Sequence, residues 1–231
     1  MNPWLTFWDK FIEQKGYELF LTGIRNTLLI AVCGLLIGLV LGSILAIFKL
    51  IPSKRIPVRF LNGFTNVYVA LFRGTPMVVQ LLLVHFVLFP AIGIKIPAEV
   101  ECTIAFGMNS AAYICEIMRG GILSVDKGQM EAGRAVGLSY GKTMIHIIIP
   151  QAIKNTVPTL GNEFIALVKE TSVVSFIAVV DVTKAFQSIA NSTYEYIIPY
   201  IMLALVYLII VLVATLLIKL LERRLRANDR R

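Results

Sequence analysis

The sequence predicts an all-α integral membrane protein, and three observations carry that reading. Hydrophobic residues make up 57% of the 231-residue chain and charged residues only 16%. Soluble domains run at about 45–50% apolar and about 25% charged, so this chain holds more apolar surface than a core of its own can bury, and lipid must cover the rest. Two stretches of 23 residues, between Arg25 and Lys49 and between Glu195 and Lys219, carry no charge. The basic residues are gathered in a few connecting segments. Together with a mean hydropathy of +0.78, this excludes a disordered chain, a secreted disulfide scaffold and an ordinary cytosolic enzyme.

Taken in order, residues 1–18 read as an interfacial segment. Trp4, Phe7, Trp8 and Phe11 alternate there with Asp9, Lys10, Glu13 and Lys15, the mixture expected of a helix lying in the membrane interface. No small-residue cleavage site follows, and the first span is too long for a signal h-region, so no signal peptide is read. That span, Arg25 to Lys49, is roughly 34 Å long at 1.5 Å per residue, enough to cross a bilayer core. Its Gly34, Gly38 and Gly42 form a small-residue face for close helix packing, in a bundle or a dimer.

The second span begins near Phe60 and includes the uncharged run Gly74 to Ile94 behind a lone Arg73. Arg73-Gly74-Thr75-Pro76 interrupts it, either as a kink or as a break that leaves backbone polar groups facing a cavity. His85 reads as a satisfied interior histidine. The third span runs from about Ala98 to Gly121 and ends on Glu116 and Arg119. The fourth, about Pro150 to Val180, is interrupted by Pro158, Glu163, Lys169 and Glu170. An ionised side chain at membrane depth costs roughly 2.5–3.5 kcal/mol on insertion scales, so Glu163 must face protein or water. Seven residues separate it from Glu170, on the same helical face; a structural ion pair with Lys169 and a functional contact both remain open. Thr183 to Ser192 is a polar segment, a linker or a gate helix. The fifth span closes the chain before a basic tail at 223–231.

Five spans place the termini on opposite sides. Fifteen basic residues lie on one side: Lys49, Lys54, Arg55 and Arg59 after the first span, Arg119, Lys127, Arg134, Lys142 and Lys154 between the third and fourth, and Lys219 with the five arginines of the tail. Lys10, Lys15, Arg25, Lys95 and Lys184 are the five on the other. The richer side is cytoplasmic, which puts the N-terminus outside. The net charge of +8 is therefore an orientation signal and not a nucleic-acid signal. Cys33, Cys102 and Cys115 are far apart, with no metal-ligand spacing among themselves or with His85 and His146, and read as small packed hydrophobes.

The segment 124–150 is too polar to span. Gly133, Gly137 and Gly141 recur every four residues, on one face if a single helix runs through them, where another chain could approach closely; a tight-turned cytoplasmic loop is the plainer reading. Gly137-Leu-Ser-Tyr-Gly-Lys-Thr143 superficially looks like a phosphate-binding loop, but three residues stand between its glycines where four are needed, and no buried strand precedes it. No ATP site or other cofactor is expected in this chain.

Within this segment, Glu131-Ala132-Gly133, Gly137, Ile147 and Ile149-Pro150 match in spacing the cytoplasmic signature of the membrane subunits of bacterial ABC importers. Gly133 and Ile149 are mild departures from it. Phe72-Arg-Gly-Thr-Pro76 with Gln80-Leu81, Ala112 to Ile122 followed by Ser124-Val125 and Lys127 to Gln129, and Ala166 to Ser175 resemble further motifs of the polar amino-acid permeases of the histidine, glutamine and arginine type. The resemblance covers about residues 19–222. It implies a type I (MetI-like) permease fold with five transmembrane helices. It also implies a second permease subunit alongside, a dimer of cytoplasmic ATPase subunits beneath, and an extracytoplasmic amino-acid-binding protein that delivers the substrate, all at the bacterial inner membrane. Glu131, Ala132, Gly133, Gly137, Ile149 and Pro150 become the expected ATPase-coupling residues. Asn162, Glu163, Arg73, Gly74, Thr75 and Gln80, with Thr171 and Ser172, become the expected substrate-binding residues. A carboxylate at depth points to a cationic amino acid, with glutamine, glutamate or another polar amino acid as the alternative. A stand-alone carrier would not need the cytoplasmic signature, and an intramembrane enzyme would need a catalytic pair that the chain does not offer.

Overall fold

Every described element is helical in the computed structural model, which describes residues 3–51 and 55–227. Lys54, Arg230 and Arg231 of the basic count, and the ends of the interfacial segment and of the tail, lie outside the described residues.

Helix α1 (Pro3–Trp8) widens into a π-turn over Asp9–Glu13 and ends before α2 (Gly16–Leu50), with Lys15 in the left-handed region at φ 59°. At roughly 50 Å, α2 exceeds a bilayer core, and it starts ten residues before the uncharged run. Helix α3 (Ile56–Gly74) is followed by α4 (Met77–Leu83), a π-turn over Val84–Leu88 and α5 (Phe89–Ala91). The chain bends by 108° between the two legs. The expected second span is therefore a sharply bent pair that begins at Ile56, not a straight helix with a kink. Pro76 forces Thr75 into an extended conformation (φ −122°, ψ 145°), as the residue before a proline prefers.

Helix α6 (Ala98–Leu123) packs along the whole glycine face of α2. A Cβ on Gly38 would stand 2.8 Å from Cβ and Oγ of Ser110, and one on Gly42 2.7 Å from the Ala111 carbonyl oxygen. The small residues thus serve the bundle within this chain. The connecting region holds α7 (Lys127–Ala135) and α8 (Tyr140–Thr143), then a π-turn over Met144–Ile148 that leads into α9 (Ile149–Glu170). Helix α9 runs unbroken through Pro158, Glu163 and Lys169. The expected interruption is absent because charges choose a face of a helix without ending it, and packed neighbours hold a proline in place. A 3-10 turn over Thr171–Ile177, α10 (Val182–Thr193) and α11 (Ile197–Ala227) complete the fold. Asp181 caps α10, accepting hydrogen bonds from the Thr183 and Lys184 amides at 3.1 and 2.7 Å. The polar segment expected as linker or gate is therefore a capped helix.

The main core gathers Ile30, Leu81, Phe106, Leu167 and Val174 where α2, α4, α6 and α9 meet. By length and apolarity, α2 and α11 can each cross a membrane, and the bent pair is a third candidate. Helices α6 and α9 fall short of the same measure because they carry Glu99, Glu101, Glu116 and Arg119, and Lys154, Glu163, Lys169 and Glu170.

Candidate functional site

The break between α3 and α4 is closed by side chains. Gln80 Nε2 donates to the Phe72 carbonyl (2.8 Å), the Thr75 carbonyl (2.9 Å) and Thr75 Oγ1 (2.9 Å). Asn109 Nδ2 donates to Gln80 Oε1 at 2.9 Å and to the Phe72 carbonyl at 3.3 Å. A helix end without such partners would leave its last carbonyls to be satisfied elsewhere. Gln80 is buried and spends its amide on the break. Arg73, Gly74, Thr75 and Pro76 are exposed at the bend, and a Cβ on Gly74 would meet nothing within 4 Å.

Arg73 turns toward α6, its guanidinium carbon 5.3 Å from the Tyr113 ring centroid, a cation–π placement. The two residues line a 440 Å³ cavity together with Glu116, Ser124, Asn155 and Thr159. Asn155 Nδ2 donates to Ser124 Oγ at 2.9 Å. Glu116 accepts from Lys49 of α2 and from Arg119 on its own helix, which closes one wall of the cavity with an ion-pair cluster.

Glu163 lies on the continuation of that wall. Gln151, Asn155, Thr159, Glu163 and Glu170 share one stripe of α9 at spacings of four and seven residues. Glu163 Oε1 accepts from Ser110 Oγ at 2.9 Å, and Arg73 lies within electrostatic reach of its carboxylate. Asn162 beside it is exposed. The structure therefore brings Arg73 and Glu163 within electrostatic reach of each other, with Gly74 and Thr75 exposed next to the one and Asn162 exposed next to the other. Thr171 is fully buried and donates to the Val168 carbonyl at 2.7 Å, and half-buried Ser172 sits in the same 3-10 turn at the far end of α9. Ser110, Tyr113, Asn155 and Thr159 escaped the sequence reading. For the two α9 residues the signal was available, as polar positions recurring every four residues.

The coupling residues are placed as follows. Glu131 and Ala132 are exposed on α7. Gly133 is buried, its Cα against Thr143 of α8. Helix α7 ends at Gly137, whose φ is +89°. Leu138 N donates to the Gly133 carbonyl and Gly137 N to the Arg134 carbonyl, both at 3.1 Å, the two bonds of a Schellman cap. Gly133, Gly137 and Gly141 therefore do not share a helical face, because the chain turns at the middle one. Ile149 is half-buried and Pro150 exposed in the first turn of α9. Thr143, in the segment that superficially looks like a phosphate loop, is buried and donates to the Ser139 carbonyl at 3.1 Å.

The model of the family described as binding-protein-dependent transport system inner membrane component matches residues 34–227. The chain belongs to that family. It is a membrane-embedded permease of an ABC transporter and not an enzyme. It is 40% identical over 209 residues to the arginine transport system permease protein ArtQ of Bacillus subtilis, covering 90% of this chain and 93% of that one. It is 37% identical over 206 residues to the putative glutamine transport system permease protein GlnP of Rickettsia conorii, covering 89% and 92%. A crystal structure of an amino acid ABC transporter with histidines contains a chain with the same fold, at a TM-score of 0.83 and 39% identity, covering 92% of this chain and 96% of that one.

Proposed function

We propose that this permease forms the pathway for uptake of a cationic amino acid of the arginine, lysine or histidine type. The observation that carries the reading is the position of Glu163: a carboxylate on the polar stripe of α9, held by Ser110 and within reach of Arg73. Glu163, with the Asn162 amide oxygen, offers acceptors to an ammonium or guanidinium. Arg73 and the exposed backbone at Gly74 and Thr75 offer donors to the substrate carboxylate. The relative named for arginine and the structure titled with histidines support a cationic substrate; the relative named for glutamine supports a polar neutral one as the second reading.

In this reading the chain crosses the bacterial inner membrane five times, N-terminus outside. Two copies, or this chain and a close relative, stand side by side, so that their exposed Arg73–Thr75 segments and α9 stripes close around one pathway. An extracytoplasmic binding protein delivers the amino acid. A pair of ATPase subunits binds ATP in the cytoplasm and docks on α7 at Glu131 and Ala132, and the turn at Gly137 passes its movement through Ile149 and Pro150 into α9. The test is Glu163→Gln in the reconstituted complex. Charge-assisted hydrogen bonds contribute roughly 1.5–3 kcal/mol each, so affinity for arginine should fall on the order of 10- to 100-fold with ATP hydrolysis still measurable. Wild-type uptake of arginine, lysine and histidine by that variant would make Glu163 structural and remove the basis for a cationic substrate.

A further inference from the structure

The N-terminal helix has two apolar edges, and the protein covers one of them. With α1 stepping at about 100° per residue and the π-turn at somewhat less, Phe7, Phe11, Trp4, Trp8, Ile12 and Leu5 occupy a single arc, with Asp9, Glu13, Thr6 and Lys10 on the remaining side. The phenylalanine edge is built into the fold. Phe7 is 1% exposed, lies parallel to Phe186 of α10 with ring centroids 6.5 Å apart, and stacks on Phe11 at 5.7 Å. Phe20 of α2 closes the cluster at 5.7 Å from Phe186, and Val182, Ile189 and Ile198 fill it. The other edge stays exposed: Leu5 70%, Ile12 57%, Trp4 48% and Trp8 41%.

The segment that carries that edge leads directly into α2. Beyond the left-handed turn at Lys15, Tyr17, Leu21, Leu28, Leu29 and Val32 are exposed on the helix with the apolar length to cross a membrane. A short helix that immediately precedes a spanning helix lies at the level where that helix leaves the bilayer, and its exposed apolar edge meets the lipid there. Tryptophan is the residue enriched at that level, its ring in the acyl boundary and its N–H toward the headgroups. The polar arc, where Lys10 Nζ, Gln14 and Asp9 are linked by hydrogen bonds of 2.9 and 2.8 Å, then faces water.

We propose that α1 and its π-turn are a membrane-interface clamp. Trp4, Leu5, Trp8 and Ile12 seat in the headgroup–acyl boundary of the leaflet at the start of α2. Phe7 and Phe11 hold α10 to that level, so that the bilayer surface, and not α2 and α11 alone, fixes the position of the capped helix.

Trp4 and Trp8 are the two tryptophans of the chain, so intrinsic fluorescence of the full chain reports α1 alone. The chain is reconstituted in vesicles of phosphatidylcholine and phosphatidylglycerol, with the phosphatidylcholine brominated either near the glycerol end or near the methyl end of its acyl chains. Blue-shifted emission, quenched more by the shallow bromine than by the deep one, is the expected result. Emission of a water-exposed indole, blue-shifted emission that neither bromine quenches (a protein cover), or stronger quenching by the deep bromine each overturns the anchor. For the clamp, Phe7→Ala should keep the shallow quenching while amide exchange in α10 rises tenfold or more, and Phe7→Leu should restore most of the protection. Unchanged exchange in Phe7→Ala overturns the clamp.

Discussion

Ser110 Oγ donates a 2.9 Å hydrogen bond to Glu163 Oε1, and it can do so because Gly38 of α2 leaves room behind it. Three helices thus meet in one layer: a glycine without a side chain, a hydroxyl, and the carboxylate proposed to meet the substrate. Ser110→Ala removes one neutral donor and leaves the carboxylate. That bond is present with and without substrate, so its loss acts on binding only through the placement of Glu163, and affinity for arginine should shift by no more than about tenfold, less than for Glu163→Gln. Substrate titration of ATPase stimulation in the reconstituted complex checks the ranking, and an effect of Ser110→Ala equal to that of Glu163→Gln would contradict it.

Gln80 is expected to matter for stability. Gln80→Leu leaves the Thr75 carbonyl without its side-chain partner and reduces the Phe72 carbonyl and the Asn109 amide to the one 3.3 Å bond between them. Each unsatisfied buried group costs about 1–3 kcal/mol, so the thermal unfolding midpoint of the purified complex should fall by several degrees. Substrate affinity of the fraction that remains folded should be close to wild type. A variant of unchanged stability and weakened affinity would instead place the Gln80 amide on the pathway.

Gly137 tests the connection between α7 and α8. Its φ of +89° strains any side chain, and asparagine tolerates the left-handed region better than alanine does. Gly137→Ala should uncouple ATP hydrolysis from uptake, and Gly137→Asn should do so less. Equal uptake per ATP in both variants and wild type would show that the cap geometry is not transmitted.

Gly42 tests the α2–α6 contact. A Cβ there falls 2.7 Å from the Ala111 carbonyl oxygen and 2.9 Å from Ile114 Cβ, and backbone cannot move aside as a flexible side chain does. Gly42→Leu should abolish accumulation of a monodisperse complex in size-exclusion chromatography, whereas a substitution at Gly63, where nothing lies within 4 Å, should be tolerated.

The parts of the fold that follow from one-dimensional patterns were legible in the sequence. Uncharged runs marked α2 and α11, the glycine spacing marked the face of α2 that meets α6, and the cytoplasmic signature marked the connecting region. What could not be read depends on partners distant in the chain. His85 was expected to be satisfied, but that Glu101 satisfies it requires knowing that the π-turn after α4 lies against the first turns of α6. Gln80 reads as a polar residue at depth until Asn109 appears beside it. Gly137 misled for another reason: a spacing of four fits a helical face and a helix stop equally well, and only the sign of φ separates them. Glu163 was legible because a charge at depth stands out from its neighbours. The hydroxyls and amides that continue its stripe, Asn155 and Thr159, do not stand out in that way.

The order of residues along α6 carries one more consequence, for biosynthesis. A growing chain leaves the ribosome N-terminus first, and α6 is too polar to settle in lipid by its own apolarity. Its partners are nevertheless already made when it emerges: Lys49 for Glu116, Gln80 for Asn109, His85 for Glu101, and the glycines of α2 for its close-packed face. Among the described side-chain hydrogen bonds of α6, that of Ser110 must wait, because Glu163 is translated 53 residues later. The nascent permease can therefore assemble a three-segment unit before α9 arrives, and the carboxylate of the proposed pathway is the last of these groups to be seated.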